Sequence, residues 1–247
     1  MAFPKTLPAS GALDMSFLAF ALAITGRNSH CWYHNGVSNA SHRPIPVPLT
    51  TVFLDRDGVL NHKMPEGRYV TRWEEFQLLP GVIEAIDRLN AARVRVIVVS
   101  NQRGIAKGLY SADNVRAIHE KFQATLAAFG ARVDGFYFCP HDKNECDCRK
   151  PMPGLFQQAQ VEFPAISTPN SAMIGDSKSD MEFGRRLGMY TVFVECDPKH
   201  QKPGADQARE IADMQTATLL DAVNALLFAQ EEALRVKSTM CLGFPAK

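Results

Sequence analysis

Net charge is almost missing from this sequence: 27 Lys and Arg stand against 26 Asp and Glu, which leaves +1 over 247 residues. A balance so near zero supplies no long-range field, so neither nucleic acid nor an anionic membrane surface is expected as a partner. Long apolar runs are scarce as well. The longest near the start, Phe17 to Ile24, is too short to span a bilayer. It has the length of a signal-peptide core, but Asp14 lies just before it and only Lys5 adds positive charge ahead of it. Cysteine is too sparse for a disulfide scaffold: of 6 in the chain, Cys139, Cys146 and Cys148 crowd beside His141 and the rest are scattered. That clustering favours metal over disulfides and a reducing compartment over a secretory one, so a cytoplasmic location is expected. Internal repeats and low-complexity tracts are absent.

What is present is a hydrophobic fraction of 46%, enough for a sizeable core in one domain with extensions. Residues 1–49 show no sustained period and close on Pro44, Pro46 and Pro48, so they read as an N-terminal extension, either disordered or targeting. The domain is expected over 50–231, and the tail 232–247 offers no clear element. Val52 to Leu54, Val94 to Val99, Gly135 to Cys139, Ser171 to Ile174 and Tyr190 to Val194 read as buried strands without alternation. Helical spacing recurs over Pro80 to Ala92, from Ser111 to about Phe129, over Leu155 to Phe163, after Ser177, and over Thr218 to Gln230. Strands alternating with helices predict an α/β fold with a doubly wound, Rossmann-like parallel sheet.

The first strand ends in Asp55-Arg56-Asp57-Gly58, and ligands bind at the carboxyl ends of strands in such sheets. Two carboxylates directed at one small volume repel unless a cation lies between them, which points to Mg²⁺; a solvated turn or a calcium-type loop is the bland alternative. Further strand ends carry Ser100, the Arg149-Lys150 pair, and Asp176 with Asp180. In this order and combination, Asp55-x-Asp57-Gly58, Ser100, Lys150 and Gly175-Asp176-x-x-x-Asp180 resemble the four motifs of the haloacid dehalogenase superfamily of phosphotransferases. Ser100-Asn101-Gln102-x-Gly104-Ile105-Ala106, Cys139-Pro140-His141 and Cys146-Asp147-Cys148-Arg149-Lys150-Pro151-x-Pro153-Gly154 are similar to its heptose bisphosphate phosphatases, with histidinol-phosphate phosphatases as relatives.

The resemblance implies a phosphatase acting on a small phosphorylated sugar. A phosphate monoester is dianionic, so the attacking group needs a metal and cationic donors to offset like charge. Asp55 would attack phosphorus, Asp57 would serve as acid and then base, and Ser100 and Lys150 would hold phosphoryl oxygens. Mg²⁺ is expected on Asp55, Asp176 and the backbone carbonyl of Asp57, with Asp180 supporting Lys150 or a metal-bound water. Substrate contacts are expected from Lys63, Arg68, Tyr69, Asn101, Gln102, Arg103 and Arg149.

Cys139, His141, Cys146 and Cys148 offer three thiolates and an imidazole, a closed shell for structural Zn²⁺; redox sensing is the rival reading. The intervals from Asp55 to Ser100 and from Ser100 to Lys150 leave no room for a separate cap domain. A monomer or weak homo-oligomer is expected. The rival from another class is a catalytically inactive zinc-containing binding module, but such scaffolds usually lose an essential carboxylate or the lysine.

Overall fold

The computed structural model describes residues 43–195 and 203–241, so the reading of residues 1–42 as an extension lies outside the described residues. Six parallel strands run in the order β3-β2-β1-β4-β5-β6: β1 (Thr51–Leu54), β2 (Arg95–Asn101), β3 (Gly135–Cys139), β4 (Ser171–Gly175), β5 (Tyr190–Val194) and β6 (Met214–Thr216). That order is the doubly wound one, with its switch point between β1 and β4. In the β1–β4 register Leu54 pairs with Ile174, so Asp55 leaves one strand beside the Gly175-Asp176 end of the other.

Successive strand residues face opposite sides of the sheet, and this alternation separates the core into layers. Val52, Leu54, Val96, Val98 and Ile174 pack with α1 (Val82–Ala91), α2 (Ala112–Ala127) and α6 (Leu219–Cys241). Phe53, Ile97, Val99 and Met173 pack with α3 (Gly154–Glu162) and α4 (Lys178–Leu187), and Phe193 packs under α5 (Ala205–Ile211). With both faces covered, strands such as Thr51–Leu54 are buried throughout, which is why their sequences do not alternate. Ser111 starts α2 as expected: its hydroxyl accepts from the Asn114 N–H, and the Asn114 side chain accepts from the Ser111 N–H.

Three features differ from the sequence reading. β6 has only three residues, Met-Gln-Thr, too few to show a period, and α5 has only seven. The last helix continues to Cys241 instead of ending near Gln230; its later turns carry Leu234 and Val236 exposed, so no one-sided apolar stripe marks them. Arg43 and Ile45, which precede the expected start of the domain, are tied to it. Ile45 packs on the larger core layer, and Arg43 donates to both oxygens of Asp213, at 3.1 and 2.6 Å. The second oxygen of Asp213 also accepts from the Thr191 N–H and hydroxyl, each at 2.8 Å.

Asp213 is therefore a buried anchor for this segment, alongside the Met189 carbonyl, which also accepts from Arg43. Burial pushes the Asp213 carboxyl up, but the Arg43 and Thr191 donors outweigh it and hold the pKa below the ordinary value. Asp213→Ala should cost about 2–4 kcal/mol, because it removes the buried acceptor of two Thr191 donors and the ion-pair partner of Arg43. Urea denaturation should give a lower midpoint with an unchanged slope. A carboxyl with a depressed folded pKa stabilises fully above its unfolded pKa of about 3.9 and loses that contribution as pH falls through the folded value. The gap between wild type and variant should thus be constant from about pH 5 to 8 and close in stronger acid. An unchanged midpoint would remove Asp213 as the anchor.

Candidate active site

At the carboxyl ends of β1 and β4, carboxylate oxygens of Asp55, Asp176 and Asp180 lie within 4.8 Å of one another. All three residues are buried. Lys150 meets this cluster from the segment after β3. Its ammonium donates to Asp55 Oδ1 at 2.9 Å and to the Val99 carbonyl at 2.7 Å, and pairs with Asp180 Oδ1 at 2.6 Å. The ammonium thus sits among three oxygens, two of them hydrogen-bonded and one ion-paired. Burial alone would push the ammonium toward neutrality, but the charges of Asp180 and Asp55 outweigh it and hold the Lys150 pKa above its ordinary value. Asp180 stands on the first turn of α4 and its other oxygen accepts from the Ser177 N–H at 3.1 Å, so helix start and lysine share one carboxylate.

Lys63 pairs with Asp176 Oδ2, whereas Asp176 Oδ1 is buried without a hydrogen-bond partner. Three carboxylates therefore face two ammonium groups, which leaves net negative charge and one orphaned oxygen at the strand ends. A divalent cation fits that deficit. The close approach depends on Gly58, whose φ is +100° and where a Cβ would sit 2.2 Å from Asp176 Oδ2.

Asp57 faces a different set of groups. Its carboxylate accepts from Arg56 Nη2 at 3.0 and 2.9 Å, from Asn61 Nδ2 at 3.0 Å and from Gln102 Nε2 at 3.1 Å. Burial pushes the carboxyl up, but the Arg56 charge and these donors outweigh it, so the pKa lies below the ordinary carboxylate value. The resting protein presents Asp57 as a carboxylate. Gln102 Nε2 also donates to Ser100 Oγ at 2.8 Å, which connects the end of β2 to the same group.

The second cluster follows β3. Cys139 Sγ lies 3.5 Å from Cys146 Sγ and 3.7 Å from His141 Nδ1; Cys148 Sγ lies 3.3 Å from Cys146 Sγ and 3.2 Å from His141 Nδ1. These sulfurs are well beyond the ~2.05 Å of a disulfide. A tetrahedral ion with sulfur at about 2.3 Å has ligand-to-ligand edges of about 3.7 Å, so the four atoms outline a zinc-sized shell.

A family model described as HAD-hydrolase-like matches residues 147–222. The D-glycero-alpha-D-manno-heptose-1,7-bisphosphate 7-phosphatase of Mycobacterium tuberculosis is 42% identical over 137 residues, 55% of this chain and 72% of the relative. The D-glycero-beta-D-manno-heptose-1,7-bisphosphate 7-phosphatase of Vibrio cholerae is 35% identical over 184 residues, 71% of this chain and 95% of the relative. The chain belongs to the haloacid dehalogenase superfamily of phosphatases. It is a phosphoric monoester hydrolase. A solved structure of D,D-heptose 1,7-bisphosphate phosphatase from B. bronchiseptica, complexed with magnesium and phosphate, superposes with a TM-score of 0.65 and 30% identity, covering 72% of this chain and 98% of that one.

Within this phosphatase the residues expected at the substrate divide into two groups. Asn101 is spent on the lysine segment: its amide donates to the Lys150 carbonyl at 3.0 Å and accepts from the Lys150 N–H at 2.9 Å. Gln102 is buried and spent on Asp57 and Ser100. Both amides are thus engaged within the fold, Asn101 on the Lys150 backbone and Gln102 on the Asp57 and Ser100 side chains. Arg103 pairs with Asp142 through two nitrogens, one at 3.1 Å. Arg68 is exposed, and Tyr69 lies half-buried against Tyr110 with the Lys107 ammonium 5.8 Å from its ring centre. Arg149 is half-buried and its Nη1 is buried without a hydrogen-bond partner. Sequence reasoning missed Arg56, which pairs with Asp57 while fully buried, and Tyr110, which reaches Gln102. Their partners lie in the fold and leave no local pattern.

The shell dimensions of the cysteine loop lead to a metal analysis. Protein produced with zinc supplied should carry close to one equivalent, and Cys146→Ser should lower both the content and the thermal midpoint, loosening residues 140–150 more than the strands in hydrogen exchange. Less than about half an equivalent in a well-folded preparation would favour thiol redox chemistry instead.

Proposed function

We propose that this phosphatase removes the 7-phosphate of D-glycero-D-manno-heptose 1,7-bisphosphate through an aspartyl-phosphate on Asp55, using Mg²⁺ at the carboxylate cluster and a structural zinc in the cysteine loop. The observation that carries the mechanism is the Lys150 ammonium, held between Asp55 and Asp180 at 2.9 and 2.6 Å. It orients the carboxylate of the nucleophile, and its charge offsets the incoming dianion. Asp55, Asp176 and the backbone carbonyl of Asp57 would hold Mg²⁺, which supplies Lewis-acid neutralisation of a phosphoryl oxygen when bound. Ser100 contributes a hydroxyl to another phosphoryl oxygen. Because Asp57 rests as a carboxylate, it takes up a proton from solvent before delivering it to the leaving oxygen, and as carboxylate again it is set to take one from the hydrolytic water.

Three considerations support the sugar bisphosphate. Relatives named for the heptose substrate match most of the domain. Arg149 places a guanidinium with an unpartnered nitrogen next to Lys150, a cation beyond what one reacting phosphate requires. Histidinol phosphate, the alternative substrate, carries an ammonium and an imidazole and would want acceptors, whereas the segments expected near the mouth carry Lys63, Arg68, Arg103, Lys107 and Arg149 against Glu66, Asp142 and Glu145. The catalytic set Asp55, Asp57, Lys150 and Asp176 is complete, which speaks against an inactive zinc-binding module. A cytoplasmic monomer or weak homo-oligomer completes the reading; no helix among the described residues is long and apolar enough to cross a membrane.

Asp55→Asn should reduce turnover at least ~1000-fold while retaining phosphate binding, since charge is lost but little volume. Asp57→Asn should be phosphorylated once and release phosphate slowly, giving a phosphoenzyme by intact mass after acid quench. That variant also leaves Arg56 uncompensated, so its thermal midpoint must be read alongside. Full activity in the first, or no trapped species in a folded sample of the second, would remove the covalent scheme.

For the substrate, kcat/KM with heptose bisphosphate should exceed that with histidinol phosphate at least ~100-fold, about 2.7 kcal/mol of discrimination. Arg149→Ala should slow the bisphosphate selectively. Equal rates on the two substrates, or an Arg149→Ala loss that is the same on both, would overturn the specificity while leaving the phosphatase activity in place.

A further inference from the structure

Gln102 has an amide whose two ends face groups of opposite need. Its Nε2 carries two hydrogens, and two acceptors lie in reach, Asp57 Oδ2 at 3.1 Å and Ser100 Oγ at 2.8 Å. A carboxylate can only accept, so the Nε2 end must face Asp57 and the Oε1 end must face away. On that far side stands the Tyr110 hydroxyl, which donates to Oε1 at 2.7 Å. Gln102 is 1% exposed and Tyr110 8%, so water is poorly placed to replace the phenol. Burial pushes the Tyr110 pKa up to about 12, which keeps the hydroxyl a donor throughout the working range.

The chain is built to put the ring there. Gln102 is fixed at its backbone, with its N–H donating to the Cys139 carbonyl at 2.8 Å. Residues 103–109 then fold back in a tight turn, closed by the Leu109 N–H on the Gly104 carbonyl at 2.9 Å, and this returns Tyr110 to the side of Gln102. A Cβ on Gly104 would lie 2.1 Å from Tyr110 Cε1, so the ring occupies space that only glycine leaves open. Tyr69 packs on its other side with ring centres 5.8 Å apart.

We propose that Tyr110 is a positioning residue for hydrolysis, its hydroxyl locking the Gln102 amide so that one nitrogen aligns Asp57 and Ser100 together. Tyr110 acts through Gln102, and the proposal rests on the reading above in which Asp57 and Ser100 act on the reacting phosphate. Without the hydroxyl, Oε1 is left buried and unpaired, which drives the Gln102 side chain to shift toward another donor. That motion withdraws Nε2 from Asp57 and Ser100 at once.

The test is a double-mutant cycle of Tyr110→Phe and Gln102→Ala, with kcat and KM measured on para-nitrophenyl phosphate and on heptose bisphosphate, and the thermal midpoint of each variant recorded. Tyr110→Phe should lower kcat about tenfold with KM within about twofold, because neither group is placed to bind substrate. In the Gln102→Ala background the same change should alter kcat less than about twofold, since the partner through which it acts is gone. An undiminished kcat in Tyr110→Phe, or an equal loss with and without Gln102, would overturn the proposal, the latter assigning Tyr110 a packing role alone. Should Tyr110→Phe fail to fold, Gln102→Ala with an unchanged kcat would overturn it as well. The sugar-free ester separates the two readings: the cycle on para-nitrophenyl phosphate stands whether or not heptose bisphosphate is turned over. Full activity in Asp57→Asn would instead sink the assigned role of Asp57.

Discussion

Three carboxylates in a volume that excludes water cannot remain ionised together without a cation among them, and here the fixed cation is Lys150. Its ammonium binds the end of β1 through Asp55, the end of β2 through the Val99 carbonyl and the start of α4 through Asp180. Those elements meet at the switch point of the sheet, so one side chain from the segment after β3 pins the crevice at the strand ends. Neutral replacement of Lys150 would leave like charges facing one another at the strand ends. The rest of the site reads as a set of devices for bringing this ammonium to its place and keeping it there.

A second charge pair is kept separate from the first. Arg56 is buried and grips Asp57 through two oxygens, while its guanidinium lies 5.8 Å from the centre of the Phe76 ring. Asp55 and Asp57, two residues apart, therefore sit in opposite surroundings: one paired to a lysine within the acidic cluster, the other neutralised by its own neighbour and braced by neutral amides. Two carboxylates held in different environments can take different roles in one reaction. The intervening residue, which looked like a spacer in the sequence, makes the separation.

The strand ends were legible because their chemistry is local. An apolar, non-alternating run that stops at a carboxylate or a serine marks both a buried strand and the ligand side of the sheet, and Asp55, Ser100 and Asp176 all obey it. Partners set by long-range packing were not legible. Asn101 and Gln102 follow Ser100 and looked available to substrate, yet one is bound to Lys150, far along the chain, and the other to Asp57 and Tyr110. The short β6 and the outer turns of α6 were hidden for the opposite reason: neither buries enough apolar surface in a regular pattern to leave a period.

The cysteine loop solves a problem that the lysine creates. Residues 141–147 are mostly exposed and include no apolar side chain that could form a core of their own beyond the cysteines, yet Lys150 must be buried to 3% only a few positions later. A loop of that composition has no hydrophobic means of holding a backbone in register. Two constraints replace it. Asn101 clamps the Lys150 peptide from both sides, through its N–H and its carbonyl. The Cys139, His141, Cys146 and Cys148 shell, once closed on a metal, crosslinks the loop to the end of β3 just before the lysine, and Cys146 and Cys148 pack against the smaller core layer. With no separate cap domain among the described residues, the scaffold below the strand ends has to set the accuracy of the site. A cysteine loop crosslinked in this way, feeding a buried ammonium, would supply that accuracy from very few residues.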